Sequence, residues 1–246
     1  MRLNKFLAHA GVASRRKADE LIRSATTTVN GKMVTDPALD VNSTDDIYFD
    51  GSRIKISDEM IVLMLHKPIG FITSVSDPEG RRTVMELVPV KERMFPIGRL
   101  DQDTTGLLLL TNDGELSQAL LHPKYKIPRK YIAVTDRPIQ PKEIQKLKRG
   151  MHIWDNIKGK AKVNHQKTVK KRTTIELELR QGKKREIRRI MDRLKIKLFS
   201  LHRSHFGSLS LGNLKQGEAR KLTDSEKENL QAICGLNNNK SSEKRK

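Results

Sequence analysis

The sequence predicts an α+β protein in two units: a small helix–helix–hairpin unit at the N-terminus, then a larger unit with a mixed, mostly antiparallel sheet flanked by helices. Three features predict it. Apolar residues recur at helical spacing near the start, and after residue 60 the apolar runs are too short for buried helices. Strands and helices also intermix without the regular beat of parallel βαβ units.

Leu3, Phe6, Leu7 and Ala10 form one stripe of a short helix that Gly11 is placed to end. Ser14 can cap a second helix with Ala18, Leu21 and Ile22 on its apolar face. Asn30-Gly31 between Val29 and Lys32 signals a hairpin, because both central residues of such a turn need positive φ. Ile47, Phe49 and Ile54 mark short strands around the Asp50-Gly51 turn. The small unit thus spans 1–56, 57–61 is a linker, and the larger unit spans 62–233. In the larger unit Met60–Leu65 and Leu107–Thr111 are buried-strand candidates, and Leu116, Ala119 and Leu120 form a helical stripe. Tyr131–Val134 and the alternating Thr174–Leu179 are further strands. Glu186–Leu194 is a basic helix with Ile187, Ile190, Met191 and Leu194 inward. The polar, charged residues 237–246 predict a disordered basic tail.

Charge narrows the function. The chain carries 49 Lys+Arg against 29 Asp+Glu, net +20, which points to a polyanionic partner. The charge is segregated: Lys158–Arg172 holds seven bases and no acid, Lys183–Arg203 holds nine bases and two acids, and Asp36–Asp50 holds five acids and no base. Nucleic acid fits better than a membrane surface, since no basic helix carries a bulky aromatic insertion edge. Arg15, Arg16 and Lys17 fall in the first turn of the second helix, where the helix dipole disfavours cations. Phosphates lying against that end would account for them; so would side chains pointing into water at a small cost. The longest apolar run, Met60–Leu65, is far too short to cross a bilayer, and charges interrupt the N-terminal apolar stretch, which argues against a signal peptide. Cys234 is the only cysteine, so neither an intrachain disulfide nor a thiolate-rich zinc site is available. A cytoplasmic location is expected.

Dinucleotide and Walker-type phosphate loops are missing, and the seven histidines show no zincin spacing. His202 and His205 are expected as a solvated or RNA-facing pair, not a metal site. The best candidate for chemistry is the segment from Gly98 to Gly114, in which Asp101 and Asp103 sit in a Thr-rich polar loop leading into an apolar strand. Those carboxylates suit general-base or nucleophilic work, an ordinary turn with Asx bonds, or weak Mg²⁺ binding.

That loop, with Asp101, Thr104 and Gly106, resembles the catalytic motif of the ribosomal RNA pseudouridine synthases, in the branch with an N-terminal αL RNA-binding domain. His66-Lys67-Pro68-Ile69-Gly70-Phe71 resembles the family's Lys-Pro-x-Gly opening strand and turn. Arg129-Lys130-Tyr131 is similar to its Lys-x-Tyr motif, shortened here, and Gln181–Ile190 to its late basic motif. Leu3–Asn30 matches the αL pattern, including Ala-Ser-Arg-Arg-Lys. The resemblance covers most of residues 1–225, with the motifs in the family's order.

It implies an Asp-dependent, cofactor-free and metal-free isomerase acting on ribosomal RNA, with large-subunit RNA favoured over small-subunit RNA, working as a monomer on RNA or a pre-ribosomal particle. By the same resemblance Asp101 is the catalytic aspartate, Tyr131 packs on the target base and Arg188 partners the aspartate. Arg99 and Thr104 complete the substrate side, and Asp103 is supporting. Glu186 stands where many members have Gln, which leaves that side chain's contact open. Arg15, Arg16, Lys17, Lys32, Lys67, Lys130, Lys183, Lys184, Arg185 and Arg189 are expected to contact RNA. Two other classes remain open on sequence alone: a non-catalytic RNA-binding ribosome assembly factor, and a Mg²⁺-dependent phosphoryl-transfer enzyme using Asp101 and Asp103.

Overall fold

The computed structural model describes residues 1–42, 44–56 and 59–236; the expected tail and part of the expected linker lie outside the described residues. The chain divides into two compact units. One holds Met1–Ile61 together with Val90–Arg93 and Asn112–Gly114, two short segments that the sequence assigns to the larger unit; the other holds the remainder.

In the smaller unit, helix α1 (Leu3–His9) is followed by α2 (Arg15–Arg23), and Ser14 caps α2 by accepting the Lys17 N–H at 3.2 Å. Gly11 takes φ +83° between them, a conformation that glycine adopts without strain. Strands β1 (Thr27–Val29), β2 (Lys32–Val34), β3 (Ile47–Phe49) and β4 (Ser52–Arg53) form a sheet in the order β2-β1-β3-β4. Its core is Leu3, Phe6, Leu7, Ala13, Ala18, Ile22, Val29, Val41 and Ile47, while Ala10 and Leu21, also on the expected apolar stripes, are half-buried. Arg15, Arg16, Lys17 and Lys32 are all exposed, and Lys17 pairs with Glu20 at 2.8 Å.

The larger unit is built in chain order from β5 (Val62–Lys67), β6 (Phe95–Ile97), β7 (Thr105–Thr111), α3 (Gly114–Leu121), β8 (Arg129–Thr135), α4 (Pro141–Arg149), β9 (Met151–Trp154), β10 (Ile157–Gly159), β11 (Lys162–Val169), β12 (Arg172–Leu179), α5 (Glu186–Arg193), β13 (Leu198–Phe206), β14 (Leu209–Ser210), β15 (Ala219–Lys221) and α6 (Asp224–Ile233). Nine strands form one sheet with central order β11-β12-β8-β13-β7-β5-β15, every pairing antiparallel except β13 with β7. Strand β5 runs two residues further than the apolar pattern suggests, because His66 and Lys67 continue it. Leu107–Leu110 are buried on both faces of the sheet, hence their unbroken apolar run. One core gathers Met64, Leu107 and Leu109 with Leu116, Leu120 and Leu230; a second gathers Ala133, Ile175 and Leu177 with Leu147, Ile187, Ile190 and Met191.

The parallel junction between β7 and β13 joins the two halves of the sheet. Gly106 lies opposite Arg203 there, with φ +113°, and a Cβ on it would sit 2.3 Å from the Arg203 carbonyl oxygen. No side chain fits. Gly106→Ala should therefore lower stability by more than about 3 kcal/mol, measured by urea unfolding, through backbone collision and strain together.

Candidate active site

The polar segment Gly98–Thr104 forms a loop entering β7 at this junction. A lysine sets its shape. Lys67 is fully buried at the end of β5, and its ammonium donates to the carbonyl oxygens of Pro68 (3.0 Å), Gln102 (3.3 Å) and Thr104 (2.9 Å). The expectation that Lys67 contacts RNA is thereby corrected: its ammonium is turned inside the protein onto backbone oxygens, of which the Gln102 carbonyl also accepts the Gly70 N–H at 2.9 Å. Burial pulls its pKa down to about 8, although Asp103 and Asp101 favour the ammonium. The Thr73 hydroxyl secures the loop's other end, donating to the Leu100 carbonyl at 2.7 Å and accepting the Leu100 N–H at 3.2 Å.

So held, the loop presents Asp101 partly exposed between two clefts. One is lined by Asp101, Thr104, Tyr131, Leu179, Arg188 and Leu201, among others. The other is lined by Ile69, Gly70, Ile72, Thr73, Gln102 and Asp103. Arg99, Leu100, Asp101 and Arg185 border both.

Arg188, on the first turn of α5, is the hub. Its Nε lies 3.4 Å from Asp101 Oδ2, while Nη2 meets Asp103 Oδ1 at 2.9 Å, the Thr104 hydroxyl at 3.0 Å and the Asp103 carbonyl at 3.1 Å. Asp103, read from sequence as supporting, is thus the closer partner, and the guanidinium spans both carboxylates. Arg185 also approaches Asp101, at 3.6 Å, from a left-handed backbone (φ +53°) at the N-cap of α5. That conformation costs a non-glycine residue roughly 1 kcal/mol or more.

Tyr131 comes from β8 and is half-buried. Arg203 is its neighbour on β13, nearly fully buried, donating from Nε to the Leu107 carbonyl at 2.6 Å. Arg129, two residues before Tyr131, has its pKa lowered by burial and by the nearby Arg203. These two guanidiniums are easily missed in sequence, where each counts as one more surface base. Glu186 is buried too: it accepts the Gln181 side chain (2.8 Å) and the N–H groups of Lys160 (3.1 Å) and Lys183 (3.3 Å). It braces the cleft-lining loop 181–186, and burial raises its pKa. Its signal was an acid standing alone among bases.

The remaining expected residues scatter. Arg99, Lys184 and Arg185 are exposed, and Lys183 lines the cleft with its ammonium turned onto the Lys158 carbonyl. Lys130 alternates with Tyr131 along β8 and so faces the other side of the sheet. Arg189 packs over Trp154. His202 and His205 are both half-buried; the His202 ring meets His66 edge-on at 5.4 Å and its Nδ1 lies 3.0 Å from the Thr105 hydroxyl. Burial and His66 lower its pKa.

Comparison with known proteins accords with this geometry. Residues 61–193 match the RNA pseudouridylate synthase family and residues 1–47 match the S4 domain. The chain is 40% identical over 237 residues to ribosomal large subunit pseudouridine synthase B of Bacillus subtilis, covering 95% of this chain and 96% of that protein. It is 32% identical to the dual-specificity RNA pseudouridine synthase RluF of Escherichia coli, over 92% of this chain and 77% of the other. A crystal structure of a pseudouridylate synthase superposes with a TM-score of 0.67 at 28% identity, covering 94% of this chain and 99% of that one. The chain belongs to the RNA pseudouridylate synthase family, whose members are isomerases, and it carries an S4 domain at its N-terminus.

The buried lysine gives a pH signature. Unfolded, its ammonium keeps its proton up to the ordinary value of 10.5; folded, it releases it near 8. Between those values the unfolded chain binds more protons, so this group's contribution to stability rises with pH. Urea unfolding of wild type and Lys67→Met between about pH 8 and 10.5 should show the difference moving in favour of the wild type, by up to about 3 kcal/mol. A flat difference would mean that the ammonium is not desolvated.

Proposed function

We propose that this protein converts uridine to pseudouridine in ribosomal RNA, with the large-subunit RNA as its substrate, as a cytoplasmic monomer, and that Asp101 carries the chemistry. The observation behind this reading is the convergence of Asp101, Arg188 and Tyr131 on one open cleft. The curated relative from Bacillus subtilis is named for the large subunit, which supports that choice of RNA.

The reaction breaks the bond between C1′ of the ribose and N1 of uracil, turns the base and joins C1′ to C5. The proton lost from C5 is balanced by the one gained at N1, so no electron changes hands. A carboxylate can act as nucleophile toward base or sugar, or as base toward a sugar proton, and Asp101 is close enough to the cleft to do so without a histidine activator. Arg188 keeps it oriented. A paired base is unreachable, so the uridine must leave its stack, and Tyr131 is the ring on which it would lie, against Leu179 and Leu201. Arg99 and Thr104 border the same space. The phosphoryl-transfer alternative is weakened by two guanidiniums at Asp101 and one at Asp103, which occupy the carboxylates a divalent cation would need. Phosphate affinity is assigned to Arg15, Arg16, Lys17 and Lys32 of the small unit, and to Lys183, Lys184, Arg185 and Arg189 near the cleft.

Asp101→Asn should reduce pseudouridine formation by at least about 1,000-fold while leaving RNA affinity within about threefold, since the charge removed repels phosphate. Pseudouridine mapping in ribosomal RNA from cells with and without the protein, and a binding titration, read the two arms; conversion by the variant would refute the assignment. Replacing Arg15, Arg16 and Lys17 together by Ala should flatten the slope of log Kd against log salt by about 2 to 3. An unchanged slope would make them ordinary surface residues.

A further inference from the structure

Trp154 is the only tryptophan in the chain and stands 53% exposed at the end of β9, although a large aromatic is normally much better covered. Arg189 lies over its ring, with Cζ 4.1 Å from the centroid. Together with Ile153, Asp192 and Arg193 the pair lines a shallow open pocket distinct from the two clefts at Asp101. Nothing in the isomerisation uses it.

Helix α5 connects this pocket to the catalytic loop. Arg189 and Arg193 are four apart on the helix and so share one side of it about 6 Å apart along the axis, and Arg185 precedes them at the N-cap. The row begins at Arg185, 3.6 Å from Asp101, and passes Trp154 at its second member. Arg188, next to Arg189 in sequence, is turned to the catalytic loop instead. A basic track beside an exposed aromatic is how proteins hold unpaired nucleotides: cations follow the phosphates and a ring stacks on a base. One face of the indole already carries a guanidinium, and the exposed remainder is free to take a second planar group. Asp192 adds an acceptor for a base N–H group at the pocket's edge.

We propose that Trp154, backed by Arg189, stacks on one unpaired nucleotide of the substrate RNA flanking the uridine that enters the catalytic cleft. This rests on the RNA-modifying function proposed above. It adds a second base contact outside the cleft, which helps to select one uridine among many.

The lone indole reports on its own site. The full-length protein is titrated with a short ribosomal RNA fragment spanning a uridine that the wild-type enzyme converts, and with a series of the same fragment carrying a single abasic nucleotide at each flanking position. Tryptophan emission should be quenched as the RNA binds, and one abasic position near the target should abolish the quenching. Trp154→Leu should bind 5- to 100-fold more weakly, while Trp154→Phe, which keeps a stacking ring and the local packing, should stay within a few-fold of wild type. Unchanged emission at saturating RNA, quenching indifferent to the abasic position, or a folded Leu variant that binds like wild type would each overturn the assignment. A wild-type protein that converts uridine without the quenching refutes this site alone. One that converts no uridine in any ribosomal RNA refutes the proposed function, and this site with it.

Discussion

An ammonium group removed from water has to find oxygens elsewhere, and Lys67 finds them on the backbone of Pro68, Gln102 and Thr104. Two of these flank Asp103 and the third belongs to the residue next to Lys67 itself, so one side chain at the end of a buried strand ties that strand to the loop carrying Asp101 and Asp103. The cost is a desolvated charge, visible in the lowered pKa; the return is a polar loop with its carbonyls satisfied and its carboxylates facing outward. Rigidity here comes from electrostatics inside the protein, not from packing of the loop's own short side chains.

The guanidiniums continue that logic at the surface. Arg188 ties α5 to the loop, and Glu186, two residues earlier, ties the start of the helix to the segment that precedes it. The cleft is therefore framed by charged contacts between elements distant in sequence but joined through one sheet, whose parallel junction at Gly106 brings β13 beside β7.

Much of this was legible beforehand. Period and turn chemistry were enough for both helices and the hairpin of the small unit, because Ser14, Gly11 and Asn30-Gly31 punctuate it with strong local signals. The buried strands β5 and β7 announce themselves by uniform apolarity, yet β5 runs on through Lys67 because tertiary carbonyls satisfy a residue that composition marks as surface. Strand β11 carries no comparable signal. It is an edge strand, polar or charged at most positions and largely exposed, and polarity at an edge, which guards against stray pairing, hides the alternation that would reveal a strand. In the site, Asp101, Tyr131 and Arg188 were found by motif. The closeness of Asp103 to Arg188 and the buried state of Arg203, Arg129 and Glu186 were not, since each depends on which strand lies beside which.

The gap between Asp101 and its guanidiniums, 3.4 and 3.6 Å, has a mechanical meaning. A short, linear hydrogen bond is lost with a modest rotation of either partner, whereas Coulomb attraction fades only inversely with separation and is indifferent to angle. A carboxylate tethered in this looser way can rotate without losing its counter-ion, and it keeps lone pairs uncommitted on the side that faces the cleft.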